Sequence, residues 1–303
     1  MKKLAFIYSL LLLLVFTGNL NAVDPKIMVI NSDASVERYA VAQEEFIKSI
    51  AYPTSQMDLG GKKKTLQEIE DILYDEYPDL VYCIGTRAYL AANRFLKEKD
   101  IVFSSIINWQ RLPVTRRTFG VSNELQPEMQ IMLFRYIFPN VKKIGVLYSE
   151  KYNGQWMKQA RIQAKDMGVL IIGNAVADSN QTISSLKRFA VDIDALWLIS
   201  DPVILSDKKV LMQVFKECDA NKTPVFSYHD AFAKQGAVLI VSVDDATIGR
   251  QSAGISANVI TGAAGEKVQY PAGSHIIMNL RKVKEYGLKY EESSLNSVNE
   301  IIE

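Results

Sequence analysis

The chain has 303 residues, 48% of them hydrophobic and 23% charged, with a formal net charge of +1 at pH 7. That composition provides apolar mass for two cores of ordinary size and excludes the strongly basic field on which nucleic-acid binding depends. No run of like charge marks an interaction tail, and Lys62–Lys64 reads as a solvated loop.

Lys2 and Lys3 precede an apolar run from Leu4 to Phe16, followed by polar Thr17–Asn21 and the small residue Ala22. This is the three-part layout of a secretory signal peptide, expected over residues 1–22 with cleavage after Ala22. The run falls short of the roughly 20 residues a spanning helix needs. A periplasmic location follows, and nothing marks a lipid anchor, because no cysteine lies near the cleavage site. Cys83 sits in the strand pattern LVYCIG and Cys218 on a helix pattern, so each reads as a small buried hydrophobe and not as half of a disulfide.

Apolar periodicity then predicts strands and helices in alternation. The first half reads as strand Ile27–Ile30, helix Val36–Ile50, strand Gln56–Leu59, helix Thr65–Tyr74, strand Leu80–Ile84, helix Ala88–Lys97 and strand Ile101–Ser104, closing near Phe119–Ser122. A second series runs through helix Glu128–Phe138, strand Lys143–Tyr148, helix Gln155–Met167, strand Val169–Ala175, helix Thr182–Ala190, strand Ala195–Ser200 and helix Lys208–Cys218. Pro139 and Gly168 stop the helices they follow.

The stretch Pro224–Gly249 organises the rest: a short strand Pro224–Ser227, a helical turn Tyr228–Gln235 closed by Gly236, and a strand Ala237–Val243. Asp244 and Asp245 offer N-cap oxygens to a helix through Gly249–Ile260. Strand–helix alternation of this kind calls for parallel sheets with right-handed crossovers. The expected fold class is α/β, with two Rossmann-like lobes of parallel sheet joined by a multi-strand hinge. The lobes are expected at 23–121 plus 244–273 and at 122–243 plus 274–303, the last segment being either part of the second lobe or associated with the hinge. The chain would change lobe within Val121–Leu125 and Ser242–Ala246 and near Tyr270–His275.

Signatures of catalysis are missing. There is no G-x-S-x-G elbow, no G-x-x-x-x-G-K-[ST] loop and no G-x-G-x-x-G fingerprint after the first strand. Neither histidine, His229 or His275, has a second ligand at metal spacing, so no metal, no cofactor and no enzymatic activity are expected.

What remains is a set of polar and aromatic residues at the carboxyl ends of the strands, where parallel α/β sheets hold ligands. They are Asn31-Ser32-Asp33, Gly85-Thr86, Ser104-Ser105, Asn108 and Trp109 in the first half, and Tyr152-Asn153, Ser200-Asp201 and Tyr228 in the second, with Asp244 at a crossing. Hydroxyls, amides, a few carboxylates and aromatic faces suit a small zwitterionic or aromatic solute held without chemistry. The candidate binding residues are Thr86, Ser105, Asn108, Tyr152, Asn153, Asp201, Tyr228 and Asp244. Each has a plainer use: Thr86 and Asp244 as helix caps, Trp109 and Tyr228 as core-edge packing, Asn153 as a turn residue and His229 as a surface or cap residue. Trp156 and Trp197 fall on faces that favour the core.

Four segments carry a resemblance: IGT at Ile84–Thr86, KKIGVLYSEKYN at Lys142–Asn153, PVFSYHDAFAKQGAVLIVSVDDATIGRQSA at Pro224–Ala253 and IIMNLRKVKEYGL at Ile276–Leu288. Through them the chain resembles ABC-transporter substrate-binding proteins, of the branch that includes tryptophan and other aromatic amino acid binders, with the type I periplasmic-binding-protein fold. The resemblance implies a small-molecule solute in a cleft between lobes, hinge closure, an inner-membrane ABC permease as partner, and a monomer. It carries over Thr86, Asn153, Asp201, Tyr228 and Asp244 as solute contacts. The chain departs from the family pattern in having Asn108-Trp109 where many members have an acidic residue and proline. It departs again in Tyr228-His229, where many have a small polar or acidic pair. Two other functions share this frame: a sensor that presents its closed form to a membrane receptor or kinase, and a periplasmic enzyme, which would depend on His229.

Overall fold

A computed structural model describes residues 24–303; the signal peptide expected over 1–22 lies outside the described residues. The chain builds two sheets in turn. The first series is β1 (Ile27–Asn31), α1 (Glu37–Ser49), β2 (Thr54–Asp58), α2 (Leu66–Glu76), β3 (Leu80–Ile84), α3 (Thr86–Phe95), β4 (Asp100–Ser104) and β5 (Thr118–Val121). The second is α4 (Pro127–Ile137), β6 (Lys143–Tyr148), α5 (Glu150–Asp166), β7 (Leu170–Ala175), α6 (Thr182–Phe189), β8 (Ala195–Trp197), α7 (Lys208–Ala220), β9 (Val225–Ser227) and β10 (Leu239–Val243). Helix α8 (Asp245–Ile260) and strand β11 (Val268–Gln269) return to the first sheet, and β12 (Ser274–Asn279), α9 (Leu280–Tyr286) and β13 (Glu300–Ile302) complete the second.

The strand orders are β11-β5-β4-β3-β1-β2 and β13-β12-β10-β9-β8-β6-β7. Every pairing is parallel except β10 with β12, which run antiparallel with Val241 opposite Ile276. The antiparallel turn follows from the third passage between sheets. The chain re-enters the second sheet from the crossing side, so β12 starts at the end where β10 finishes. The chain passes from one sheet to the other three times, between Val121 and Pro127, between Val243 and Asp245, and between Gln269 and Ser274.

Strands buried on both faces read as near-continuous apolar runs, unbroken in β3 and carrying a single polar residue in β1 (Asn31) and β10 (Ser242), because helices cover both sides of a parallel sheet. In the first lobe Phe46 of α1 stacks on Tyr82 of β3 with centroids 4.0 Å apart. In the second, Phe138 lies beside Phe226 of β9 at 5.4 Å, and Trp197 of β8 meets Phe134 of α4 edge-on at 5.2 Å. Offset and edge contacts of this kind add to the burial of large apolar rings.

Local signals set the ends of the helices. Thr65 and Glu68 form a reciprocal capping box at the start of α2, with Thr65 N–H donating to Glu68 Oε2 at 2.7 Å. Gly236, at φ 98°, ends the 3-10 turn Asp230–Gln235 in a left-handed conformation. Gly249 of α8 sits against α1 so closely that a Cβ there would lie 2.3 Å from the Ala42 carbonyl oxygen. Helix α8 starts at Asp245 and runs to Ile260, with its N-cap at the first of the two expected positions. Asp244 caps it by accepting from Ala246 N–H at 3.2 Å, while Asp245 is its first residue and not a second cap.

Cys83 lies in β3 of the first sheet and Cys218 in α7, a helix of the second series; both are free and buried. Burial holds the Cys218 thiol up at about 12 and raises Cys83 as well, so neither is a reactive thiolate at neutral pH. Among the described residues no helix is long and apolar enough to cross a membrane, and no cluster of histidine, cysteine or carboxylate residues could hold a metal ion.

Candidate functional site

The three crossings and the carboxyl ends of strands from both sheets enclose a cavity of about 430 Å³. Its walls are the crossing segment Ser122–Leu125 with Val241–Val243 and Tyr270, the loop Asn108–Arg111 after β4, the start of α5 and the ends of β8 and β9. Aromatic faces dominate the second-lobe side. Trp156 is half-buried and meets Trp197 edge-on at 4.9 Å, and Tyr228 packs against Phe232 at 5.8 Å. Across the mouth, the Arg111 guanidinium sits 4.9 Å from the Tyr152 ring centroid, bringing a first-lobe cation onto a second-lobe aromatic face.

Asn108 ties the two lobes together. Its backbone adopts the left-handed conformation at φ 56°, which asparagine tolerates better than most residues. Its side-chain Nδ2 donates to the Ser200 carbonyl oxygen at 2.9 Å, 92 residues away, and its backbone N–H donates to Glu124 Oε1.

The cavity wall also gathers unmet polar groups. Asn123 Oδ1, Glu124 Oε2, Gln130 Oε1 and Trp197 Nε1 are buried without a hydrogen-bond partner among the described residues, and all four residues line this cavity. Native proteins rarely leave such atoms unpaired in the dry interior, so four of them on residues of one wall set that wall apart. The Gln130 amide is oriented by Nε2 donating to the Leu125 carbonyl at 3.1 Å, which leaves Oε1 as a free acceptor. Burial pushes the Glu124 carboxyl up to about 7, against the lowering effect of the Asn108 N–H. Burial, with the Glu124 charge added, raises both the Tyr228 and Tyr270 hydroxyls above the usual phenol range.

Of the eight expected contacts, four reach this wall: Asn108, Tyr152, Asn153 and Tyr228. The other four sit elsewhere. Asp201 is fully buried behind the wall and its carboxylate is already satisfied. Oδ2 accepts from Ser149 N–H (2.7 Å), Ser149 Oγ (2.8 Å) and Asn153 Nδ2 (2.6 Å), and Oδ1 accepts from the Val203 and Ile204 N–H groups (2.8 and 3.2 Å). With five donors it has no capacity left for a solute, so it acts as a support that orients Asn153 and not as a contact. Thr86 is exposed as the first residue of α3, outside this cavity. The free N–H of Ala88 in that first turn is taken instead by Ser32 Oγ at 3.0 Å. Ser105 is buried with Oγ 3.4 Å from Ser104 Oγ, and Asp244 is engaged as the α8 cap.

Residues outside the expected contacts are as prominent as those within them, among them Trp156 and Trp197, which were expected in the core. Glu124, Arg111, Gln130, Trp156, Trp197 and Tyr270 all line the cavity. For Glu124 a signal was available: an ionisable residue inside Val121–Leu125, a segment already read as a crossing.

Beside the cavity the lobes touch again. Arg38 Nη1 of α1 lies 2.6 Å from His229 Nε2, just past β9. A guanidinium only donates, so Nε2 accepts from Arg38 and the ring proton of the neutral imidazole sits on Nδ1, 2.6 Å from Asp230 Oδ1. Arg38 Nε is also 3.7 Å from Asp245 Oδ2. The His229 hydrogen bond holds the Asp230 carboxyl well below its usual range, whereas burial pushes Asp245 up to about 6 despite Arg38.

Two parallel-sheet lobes with a lined cavity at their crossings define a bilobal binding protein, and comparison with known proteins assigns its family. The model of the ABC transporter substrate binding protein family matches residues 30–302, and the chain belongs to that family. A tyrosine-binding protein of Clostridioides difficile (strain R20291) is 22% identical over 207 residues, which are 65% of this chain and 59% of that protein, so less than two thirds of the relative's length is matched. Among solved structures, an ABC domain in complex with L-Trp from Streptococcus pneumonia superposes with a TM-score of 0.60 at 20% identity, over 92% of this chain and 100% of that one. A ligand-free, open substrate-binding protein with adhesive properties from Clostridium difficile superposes with a TM-score of 0.70 at 16% identity, over 91% and 98%. These structures share the type I fold, and the relatives are solute-binding proteins and not enzymes.

Proposed function

We propose that this chain is the periplasmic solute receptor of an ABC importer, exported through the signal peptide at 1–22 and acting as a monomer. It takes a small aromatic, amino-acid-like solute into the cavity between lobes 23–121 plus 244–273 and 122–243 plus 274–303, and presents the closed form to an inner-membrane permease. The observation that carries this reading is the cavity wall: Trp156 and Tyr228 line one void between the sheets together with four residues that carry a buried polar atom without a partner. The binding of tyrosine by the Clostridioides difficile relative and of L-Trp by the Streptococcus pneumonia structure supports the choice of solute class.

In this reading Tyr228, Trp156, Asn108, Tyr152 and Asn153 touch the solute, and Asp201 holds Asn153 in place. A solute shifts the balance toward the closed form only by the extra contacts it makes there, and Asn108, which spans the lobes, is positioned to contribute to them. A thermal-shift screen of residues 23–303 against amino acids, aromatic acids, purines and small peptides tests it. A solute at about 100 times its dissociation constant stabilises the fold by about 2.7 kcal/mol. The expected result is a rise in Tm with L-tyrosine or L-tryptophan, reversed by Tyr228→Ala, and recovery of the solute chemically unchanged. No response to any aromatic compound from a well-folded protein overturns the proposal.

A further inference from the structure

Resting on the reading of the cavity as the solute site, we infer that Glu124 is its specificity residue, selecting solutes that carry a protonated amine. The argument starts from unmet hydrogen-bonding capacity. Three of the four unpartnered buried atoms on the wall are acceptors, namely Asn123 Oδ1, Glu124 Oε2 and Gln130 Oε1, and the one donor is Trp197 Nε1. An ammonium group has three N–H donors and no acceptor, which matches an acceptor-rich set containing a carboxylate. Carboxylate-bearing solutes without an amine would meet acceptors with acceptors.

Charge points the same way. The ionisable side chains on this wall besides the tyrosines are Glu124 and Arg111. They lie at different depths: Glu124 Oε2 is closed off from solvent, while Arg111 is exposed at the mouth and lies over Tyr152. A zwitterion would therefore enter amine first, its ammonium at Glu124 and its carboxylate toward Arg111. The two hydroxyls nearest in charge to Glu124, those of Tyr228 and Tyr270, are held neutral by burial and place no second anion beside it.

Glu124 also stands on the first crossing between the lobes, and Oε1 accepts from the backbone of Asn108, whose side chain in turn donates to Ser200 of the other lobe. A cation at Oε2 would thus strengthen a chain of contacts already running from one lobe to the other. The same geometry makes binding proton-linked. Burial keeps the empty-site carboxyl partly protonated at neutral pH, so arrival of the ammonium drives its proton to solvent and leaves a carboxylate–ammonium pair.

The test separates amine from ring. L-Tyrosine and L-tryptophan are compared by calorimetry with tyramine and tryptamine, which lack the carboxylate, and with 3-(4-hydroxyphenyl)propionate and indole-3-propionate, which lack the amine. L-Leucine and cadaverine extend the ammonium set beyond aromatic rings. The expected result is that Glu124→Gln weakens the ammonium-bearing probes by about 10- to 100-fold, the loss typical of one charge-assisted contact, and leaves the deaminated acids unchanged or tighter. Binding of the amines near pH 7 releases a proton, read from the dependence of the heat on the buffer's ionisation enthalpy, and Glu124→Gln abolishes that release. If the deaminated acids bind as tightly as the amino acids, or if Glu124→Gln weakens all probes alike, the inference is overturned while the aromatic reading stands. If only leucine or cadaverine binds, in a Glu124-dependent way, the aromatic reading falls and the inference stands. Failure of every ammonium-bearing probe overturns the inference.

Discussion

Glu124 lines the cavity and Asp201 lies outside its lining, next to Ser200, and the protein has solvated the two carboxylates in opposite ways. Asp201 lost all contact with water and received five hydrogen-bond donors in exchange. Glu124 received one backbone donor on Oε1 and none on Oε2, and its proton affinity rose accordingly, to about 7. The contrast separates structure from site: a carboxylate that the fold has fully satisfied holds the fold, and one left half-satisfied beside a void is available to something that enters it.

The strongest way to break that comparison is Asp201→Ala. Removing the hub leaves the Ser149, Val203 and Ile204 N–H groups and the Asn153 amide buried without their acceptor. A loss of about 3 kcal/mol or more is expected in urea unfolding, from the usual cost of orphaned buried donors. A loss below about 1 kcal/mol would show that the five donors contribute little and that Asp201 is free for a solute after all.

Glu124→Gln is expected to act in the other direction. Its folded-state value of about 7 stands above the ordinary 4.5, so the native protein holds the proton longer than the unfolded chain between those pH values. Stability therefore falls as pH rises from 4.5 to 7, and the full cost, about 3 kcal/mol at most, is present above 7. The variant should match the parent at pH 4 and exceed it at pH 8 in the same unfolding measurement. Equal stability at both pH values would remove the contrast with Asp201.

Two smaller effects sharpen the scale between the extremes. Asp245 is intermediate: Oδ1 is buried without a partner while Oδ2 faces Arg38 at 3.7 Å. Arg38→Ala should cost about 1–2 kcal/mol by stripping that partial compensation and the contact to His229. The same variant should raise the Asp245 carboxyl further, which carbon-detected NMR titration would read. Asp244→Ala removes an N-cap and the acceptor of the Thr247 hydroxyl, both at the partly exposed start of α8, and about 1 kcal/mol is expected from the shift in Tm.

The contrast also marks where sequence reasoning stops. Strands β3 and β6 were legible to the residue, because a run such as LVYCI buried on both faces has no polar member to blur its ends. The two-residue β11 and the three-residue β13 were not, since neither carries a buried residue, and they exist only because a neighbouring edge is free to pair. Helix α5 begins at Glu150, five residues before the expected Gln155, because its first turn presents Tyr152 and Asn153 to the cavity and so lacks apolar spacing. Polar and aromatic residues at strand ends could be read as candidates because topology alone places them near a cleft. The fates of Asp201 and Glu124 could not. Asp201 is saturated by partners 48 and 52 residues away, and the burial that raises Glu124 comes with neighbours such as Tyr228, more than 100 residues on.

Gly249 ties these observations to mechanics. Because α8 touches the Ala42 carbonyl of α1 where a single methyl would not fit, the two helices pack at the closest approach their backbones allow. Helix α8 continues directly from the second crossing through Asp244, and near the start of α1 Arg38 reaches across to His229. The thickness of a missing side chain thereby sets the gauge between two helices whose starts meet through Arg38 and Asp245. An added carbon at Gly249 would push against the Ala42 carbonyl, one turn along α1 from Arg38 and its contact with His229.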